Sequence, residues 1–358
     1  MLEHYYLNLT YHLAVQNDGN TAPNPSVGAL IVKEDHIVSW AYHELAGGPH
    51  AEVIALQRAG QLARDATLYC SLEPCAHYGK TPPCVDQIHR SGIDRVVFAV
   101  LDRNPLVSGK GQQALQQLGI RCERIGCPHI EAFYSSYFRT FDSGRPYIIA
   151  KAAITANGII APADRDSKWI TNETSLKWVH QLRAQCDAIL VGANTVAVDR
   201  PHLTVRADGV VRKPLRIVLD SDFSLDPKGC SLLETNSPIL ICGLETAPAG
   251  QERRWSGSGV QMIRFKNVHS LASNLFVEFG VRKMMVEGGQ RTFTSLHTAD
   301  LIDEYVLMVA PRLLTGNHFL NLLGGPEQSL KNAPRYSMDP PLEMDGDVIV
   351  RLRRRRYV

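Results

Sequence analysis

The stretch Glu73-Pro74-Cys75-Ala76-His77-Tyr78-Gly79-Lys80-Thr81-Pro82-Pro83-Cys84 decides how the first half of this 358-residue chain is read. A short Cys-x-x-Cys clamp encloses two residues; here eight, Ala76 to Pro83, separate the cysteines. Before it, ATLYCSL (66–72) has the apolar, β-rich composition of a strand. After it, PPCVDQIHRSG (82–92) opens on prolines and closes on Gly92, as a helix does. Cys75 is therefore expected just past a strand and Cys84 in the first turn of a helix.

Working outward, YYLNLTYHLAVQ (5–16) has apolar residues at helical spacing, and VGALIVKED and HIVSWAYH (27–43) read as two strands of a hairpin. HAEVIALQRAG (50–60) is a helix closed by Gly60. DRVVFAVLD (94–102) is another strand, and GKGQQALQQLG (109–119) a helix that Gly119 ends. Gly109-Lys110-Gly111-Gln112-Gln113-Ala114 fits a dinucleotide fingerprint, but RNPLVS separates it from its strand, so it reads as a helix entry. EAFYSSYFRTFDSGRP (131–146) is a helix running into a break at Gly144 and Pro146. A second strand–helix pattern follows: YIIAKAAIT, CDAILVGA, LRIVLDS, SPILICG, KMMVEGG and EYVLMVAP as strands, LKWVHQLRAQ and FTSLHTADLI as helices. Two α/β domains are expected, residues 1–145 and 146–358.

Apolar content of 44% and charged content of 21% are those of a globular protein, and a net charge of +2 argues against a nucleic-acid partner. The basic end RLRRRRYV (351–358) is the exception, and its alternation reads as a last strand rather than a binding arm. No apolar stretch approaches the ~20 residues of a membrane span. The start of the chain lacks the basic and small-residue features of an export signal. The eight cysteines have no regular framework spacing apart from the pair above. A reducing cytoplasm with free thiols is expected.

His50-Ala51-Glu52, Cys75 and Cys84 form the first constellation. One imidazole and two thiolates suit a tetrahedral zinc ion with a fourth position left for water. Glu52, two residues from His50, is placed to carry protons at that position. The order H-x-E…P-C…C is that of zinc nucleobase deaminases, with the second element lengthened from P-C-x-x-C. A closed zinc site with His77 as fourth ligand is the alternative on these residues alone. Lys80 is a mobile charge suited to phosphate.

TAPNPSVGALIV, GGPHAEVIAL, SLEPCAHYGKTPPC and DRNPLVSGKG resemble the deaminase half of the bifunctional deaminase–reductase family of riboflavin biosynthesis. GRPYIIAKAAITANG, SKWIT, LRAQCDAILVGANTVAVDRPHLTVR and VEGG resemble its reductase half. The resemblance implies a cytidine-deaminase-like three-layer domain followed by a dihydrofolate-reductase-like domain, one Zn2+ per chain and NADPH. It implies hydrolytic deamination of 2,5-diamino-6-(5-phosphoribosylamino)pyrimidin-4(3H)-one, then reduction of the ribosyl to the ribityl side chain. Asn24, His43, His77, Lys80, Asp102 and Asn104 would contact the deaminase substrate. Lys151, Ser167, Arg183, Leu203, Arg206 and Glu287 would contact the reductase substrate. Ala153, Trp169, Thr195, Asp199, Gly288 and Gly289 fall at cofactor positions. The partners expected are a phosphorylated pyrimidine and further copies of the chain in a homo-oligomer, with no nucleic acid and no membrane. The chain departs from the family at Thr155-Ala156-Asn157-Gly158, where Ser-Leu-Asp-Gly is usual. If the missing carboxylate takes part in proton transfer, the alternative is a deaminase with a non-catalytic reductase-like domain.

Overall fold

The computed structural model describes residues 2–354 apart from 19, 22–23, 79–81, 105–106, 163–169, 207–212, 317–318 and 327–328; the side chains of 161 and 162 are also outside the description. Lys80, Ser167 and Trp169 therefore lie outside the described residues. The chain divides into two compact units, Met1–Gly144 and Arg145–Val358.

In the first unit, α1 (Leu2–Gln16) precedes the hairpin β1 (Gly28–Lys33) and β2 (His36–Tyr42). Then come α2 (Ala51–Ala59), β3 (Thr67–Leu72), α3 (Cys84–Arg90), β4 (Arg95–Val100), α4 (Lys110–Gln117), β5 (Arg121–Arg124) and α5 (Pro128–Ser143). The sheet order is β2-β1-β3-β4-β5, antiparallel from β2 to β3 and parallel from β3 to β5. Alternate side chains of a strand point to opposite faces. Ile31, Leu68, Cys70, Val96 and Phe98 accordingly pack under α2, α3 and α4. Leu30, Val32, Tyr69, Val97 and Ala99 pack against Leu7 of α1 and Ile130, Tyr134 and Phe138 of α5. The result is a three-layer sandwich whose strands β3 and β4 both end on the side where α2 and α3 begin. Parallel strands place their carboxyl ends together, and loops gather there. Helix α4 occupies the stretch read as a helix entry, with Gly109 at its N-cap in the left-handed region (φ 72°).

The second unit starts with β6 (Tyr147–Thr155) and β7 (Ile159–Pro162), then α6 (Glu173–Ala184), β8 (Ala188–Gly192), α7 (Ala193–Asp199), β9 (Leu215–Leu219), β10 (Ile239–Leu244) and β11 (Gln261–Phe265). It continues with α8 (Val268–Val277), β12 (Lys283–Val286), α9 (Gln290–Thr298), β13 (Glu304–Ala310), β14 (Phe319–Asn321), β15 (Tyr336–Met338), β16 (Leu342–Met344) and β17 (Asp347–Arg354). Among the described residues the main sheet runs β11-β10-β9-β8-β12-β6-β13-β17-β15, with β16 also on β17. It is parallel from β11 to β13 and antiparallel beyond. Ala188, Leu190, Ile217, Leu240, Met284 and Val286 fill one face, with Leu271, Leu275, Phe293 and Leu296 of α8 and α9 above them. The basic end forms β17 through Arg354. Ile349 is buried under the sheet, Arg351 pairs with Glu304 (2.6 Å), Arg353 with Asp339 (2.9 Å), and Arg354 with Asp300.

Candidate active sites

Three element ends deliver the first constellation. His50 is the N-cap of α2, Cys75 follows β3 after Glu73 and Pro74, and Cys84 is the first residue of α3. Helix α3 starts after both prolines, with Pro83 as its N-cap, although Pro82 alone could have opened the first turn. The Cys84 N–H instead points to Cys75 Sγ at 3.4 Å, and the Val85 N–H donates to the Cys75 carbonyl at 3.3 Å. That wrap folds the two cysteines onto each other. Cys75 Sγ and Cys84 Sγ are 3.4 Å apart, and His50 Nδ1 lies 3.4 Å and 3.2 Å from them. Among the described residues this is a group of three donors within 4.8 Å of one another.

The three groups share protons closely, as donors converging on one point do. The neighbouring Cys84 thiol brings Cys75 down to about 4 against the effect of burial. The bond to Cys75 carries His50 up to about 9. Its own contact with Cys75, together with burial, pushes Cys84 up. One imidazole and two soft sulfurs, buried and in mutual contact, are a donor set for zinc. Glu52 is 3% exposed, and its Oε2 has no hydrogen-bond partner. Burial, only partly opposed by His50, raises its carboxyl. A buried oxygen without a partner is costly, so this atom awaits a ligand or a water.

Around the trio, His43 is 2% exposed with Nε2 unpartnered, and its ring centroid lies 5.2 Å from that of His50. Burial lowers its affinity for a proton. His77 Nδ1 is also buried without a partner, although the residue is half-exposed. Asp102 is buried, accepts the Asn104 N–H at 2.8 Å, and is raised by burial to about 6. Asn24 is exposed in a turn whose N–H donates to the Thr21 carbonyl at 2.9 Å.

Glu73 is a residue that the sequence did not single out. Its buried carboxylate accepts backbone N–H groups from Gly109 (3.0 Å), Gly111 (3.0 Å), Gln112 (3.1 Å) and, longer, Asp102 (3.4 Å). It thus caps α4 from the segment that follows β3 and ties the Asp102 loop to the Cys75 turn. Gly111 completes the joint, because a Cβ there would lie 1.9 Å from the Pro74 carbonyl oxygen.

In the second unit a cavity of about 870 Å³ opens where β6, β8 and β12 lie side by side. Lys151, Ala153, Thr195, Asp199, Glu287 and Gly288–Gly289 line it, seven of the twelve residues expected at this site. Its volume is that of a site for a large organic ligand. Gly192, Gly288 and Gly289 keep its wall bare. A Cβ at Gly192 would meet Thr292 Oγ1 at 2.8 Å, and one at Gly289 would meet Thr195 Oγ1 at 3.4 Å. The main chain can therefore approach a cofactor directly, just before α9 begins.

Glu287 connects the cavity to α6. Arg183 grips it at both oxygens (Nε–Oε1 2.5 Å, Nη2–Oε2 2.8 Å). Burial works to raise Glu287, but Arg183 with Lys151 behind it brings the carboxyl down to about 2. Burial depresses Lys151, opposed by Glu287. Arg183 and Arg206 do not line the cavity. Leu203 does not either: its side chain is 3% exposed in the core with Phe223, and its φ of 54° makes it a pivot of the main chain. His180, also unsuspected from sequence, accepts the Arg206 N–H at Nδ1 (3.2 Å).

Asn157 uses both ends of its amide. Oδ1 accepts from Thr155 Oγ1 (2.8 Å) and the Leu314 N–H (3.3 Å), and Nδ2 donates to the Leu314 carbonyl (2.8 Å). An ionised aspartate could not make the last bond. Here the residue ties a turn, which removes the motive for a non-catalytic second unit.

The first unit is a zinc-type pyrimidine deaminase domain, and the second is a reductase domain. Residues 2–100 match the family of the cytidine and deoxycytidylate deaminase zinc-binding region, and residues 146–337 match the RibD C-terminal domain. The chain belongs to the RibD family of bifunctional riboflavin biosynthesis enzymes, which join a deaminase to a reductase. It is 42% identical to riboflavin biosynthesis protein RibD of Aquifex aeolicus (91% of this chain, 92% of that one) and 36% identical to RibD of Bacillus amyloliquefaciens (97% and 95%). Its structure is similar to that of Acinetobacter baumannii RibD, with TM-score 0.91, 32% identity and 99% of each chain covered. It is also similar to that of a diaminohydroxyphosphoribosylaminopyrimidine deaminase/5-amino-6-(5-phosphoribosylamino)uracil reductase from Thermotoga maritima, with TM-score 0.87, 31% identity and 98% of each chain covered. Zinc and NADPH are the cofactors of the two halves.

Proposed function

We propose that the first unit deaminates 2,5-diamino-6-(5-phosphoribosylamino)pyrimidin-4(3H)-one and that the second reduces the ribosyl group of the product. The observation that carries the first half is the contact trio His50, Cys75 and Cys84 beside the unpartnered Oε2 of Glu52. His50, Cys75 and Cys84 would hold the metal, which supplies Lewis acidity and so lowers the pKa of a bound water. Glu52 is the proton carrier: its raised affinity lets it take the water's first proton at Oε2 and pass it to the ring nitrogen, then take the second proton from the added oxygen and pass it to the departing amine, which leaves as ammonia. His43, His77, Asp102 and Asn24, with Asn104 and Lys80, are the substrate contacts of this reading. The bare ring nitrogens of His43 and His77 suit the polar edge of a pyrimidine.

In the second unit NADPH supplies the hydride. Ala153, Thr195, Asp199, Gly288 and Gly289, with Trp169, are assigned to the cofactor. Lys151, Glu287, Arg183, Leu203 and Arg206, with Ser167, are assigned to the ribosyl phosphate. The Arg183–Glu287 pair fixes the carboxylate at the cavity wall, where it can accept from sugar hydroxyls. Leu203 would contribute through its main chain. Arg206, exposed on its segment, is suited to the phosphate.

Among the described residues no helix is long and apolar enough to cross a membrane, and all eight cysteines are buried thiols rather than disulfides. Free thiols support a cytoplasmic location. Exposed apolar side chains on α1, Leu2 and Tyr5 among them, support the homo-oligomer in this reading. Mass spectrometry of the products from the phosphoribosyl substrate, with and without NADPH, tests both activities. A Glu52→Gln chain should retain zinc and release no ammonia. Undiminished ammonia release would refute the role given to Glu52.

A further inference from the structure

Residues 202–206 lie between α7 and β9 and belong to no strand or helix. Side chains hold this segment at three points. Arg216 on β9 donates Nη1 to the His202 carbonyl (3.1 Å), and Arg183 donates Nη1 to the Thr204 carbonyl (2.9 Å). His180 accepts the Arg206 N–H at Nδ1 (3.2 Å). His180 and Arg183 are three residues apart on α6, so they share a face of that helix. One face therefore offers a donor to Thr204 and an acceptor to Arg206. Beyond the pivot at Leu203, these two contacts set the course of the main chain that carries the Arg206 side chain.

The chemistry of the last contact is fixed by its donor. A backbone N–H can only donate, so Nδ1 is the bare ring nitrogen and the neutral ring carries its hydrogen on Nε2. Burial, with Arg183 and Arg206 nearby, holds the imidazole down to about 4. Nδ1 therefore remains an acceptor at neutral pH. His180 does not line the cavity.

We propose that His180 is a positioning residue of the reductase, whose Nδ1 anchors the Arg206 main chain so that the guanidinium is presented to the phosphate of the ribosyl substrate. The inference rests on the reading that Arg206 binds that phosphate.

The test uses full-length His180→Leu, His180→Asn and Arg206→Ala chains and follows NADPH oxidation. Each chain is given the deaminated ribosyl phosphate and, separately, its dephosphorylated counterpart. His180→Leu removes the acceptor, and the KM for the phosphorylated substrate is expected to rise about three- to tenfold, with kcat nearly unchanged. The KM for NADPH, the KM for the dephosphorylated substrate and the rate of ammonia release should all stay put. In His180→Asn, Oδ1 sits as many bonds from the main chain as Nδ1 does, and the KM should return to within about twofold of the natural value. If His180→Leu fails to fold, His180→Gln takes its place. Its acceptor lies one bond further out, and the same rise is expected. An unchanged KM, an equal rise with the dephosphorylated substrate, or an Asn variant as poor as Leu would overturn the positioning role. A rise in Arg206→Ala with none in His180→Leu overturns that role alone. An Arg206→Ala chain that behaves like the natural one overturns the phosphate reading and this inference with it.

Discussion

Replacing Glu73 with glutamine tests how the deaminase centre is braced. The change is nearly isosteric, so packing is preserved and only hydrogen bonding is altered. The glutamine can keep one oxygen, best placed toward Gly111 and Gln112, which now lie 3.0 and 3.1 Å from Oε1. Its NH₂ must then face the Gly109 N–H, now 3.0 Å from Oε2, and the more distant Asp102 N–H at 3.4 Å. Each stranded buried amide costs about 1–3 kcal/mol, the long Asp102 contact at the low end. Loss of negative charge beside the first turn of α4 adds about 0.3–1 kcal/mol. The sum is about 3 kcal/mol, or roughly a hundredfold in the equilibrium for local opening. Amide hydrogen exchange of the full chain, read on a peptide spanning 101–118, should show protection at Gly109–Gln112 falling by about that factor. Ammonia release should fall with it, because Asp102 and Asn104 lose their brace, while NADPH oxidation of the preformed intermediate stays intact. Unchanged exchange in that peptide would refute the claim that this carboxylate caps α4.

Gly111→Ala drives a methyl group into the Pro74 carbonyl, and a loss of about 1–3 kcal/mol or more is expected in denaturant unfolding of the first unit. Treatment with a zinc chelator should stop ammonia release and spare NADPH oxidation, since the His50, Cys75 and Cys84 group lies in the first unit and the cavity in the second. Assaying both products before and after chelation separates the two. Glu287 sits at about 2 rather than its ordinary 4.5, so its pairing with Arg183 stabilises the folded chain fully above pH 4.5 and is lost as pH falls through 2. Unfolding midpoints across that window should drop more steeply for the natural chain than for Glu287→Gln.

The layers of both units were legible because β1, β4 and β13 are apolar runs, and β3 and β6 are apolar apart from Ser71 and Lys151 within them, each bounded by glycine, proline, threonine or charge. The strands β5, β7, β11, β14, β15 and β16 were not. In β5, Arg-Cys-Glu-Arg, only Cys122 is buried at the sheet edge, and four residues with one apolar position carry no period. Helix α8 was missed because its capping box joins Asn267 to Ser270 instead of to the Glu or Gln usual at that position. The grouping of His50, Cys75 and Cys84 could be read because they are rare side chains at element ends. Glu73 and His180 could not. Their partners are main-chain amides 29 to 39 residues away for Glu73 and 26 for His180. Every residue offers such an amide, so side-chain identity holds no sign of the pairing. Leu203 shows the converse: it stands out in the sequence motif, but the motif holds no sign that its side chain turns into the core beside Phe223.

The strand β17 has one more implication. Attraction to a polyelectrolyte grows with the number of cations available to displace ions condensed on its phosphates. Arg351, Arg353 and Arg354 already face Glu304, Asp339 and Asp300, so three of the five arginines in the last eight positions are neutralised inside their own domain. A run that looks like a lure for polyanions is in large part a counterweight to acidic groups at the sheet margin.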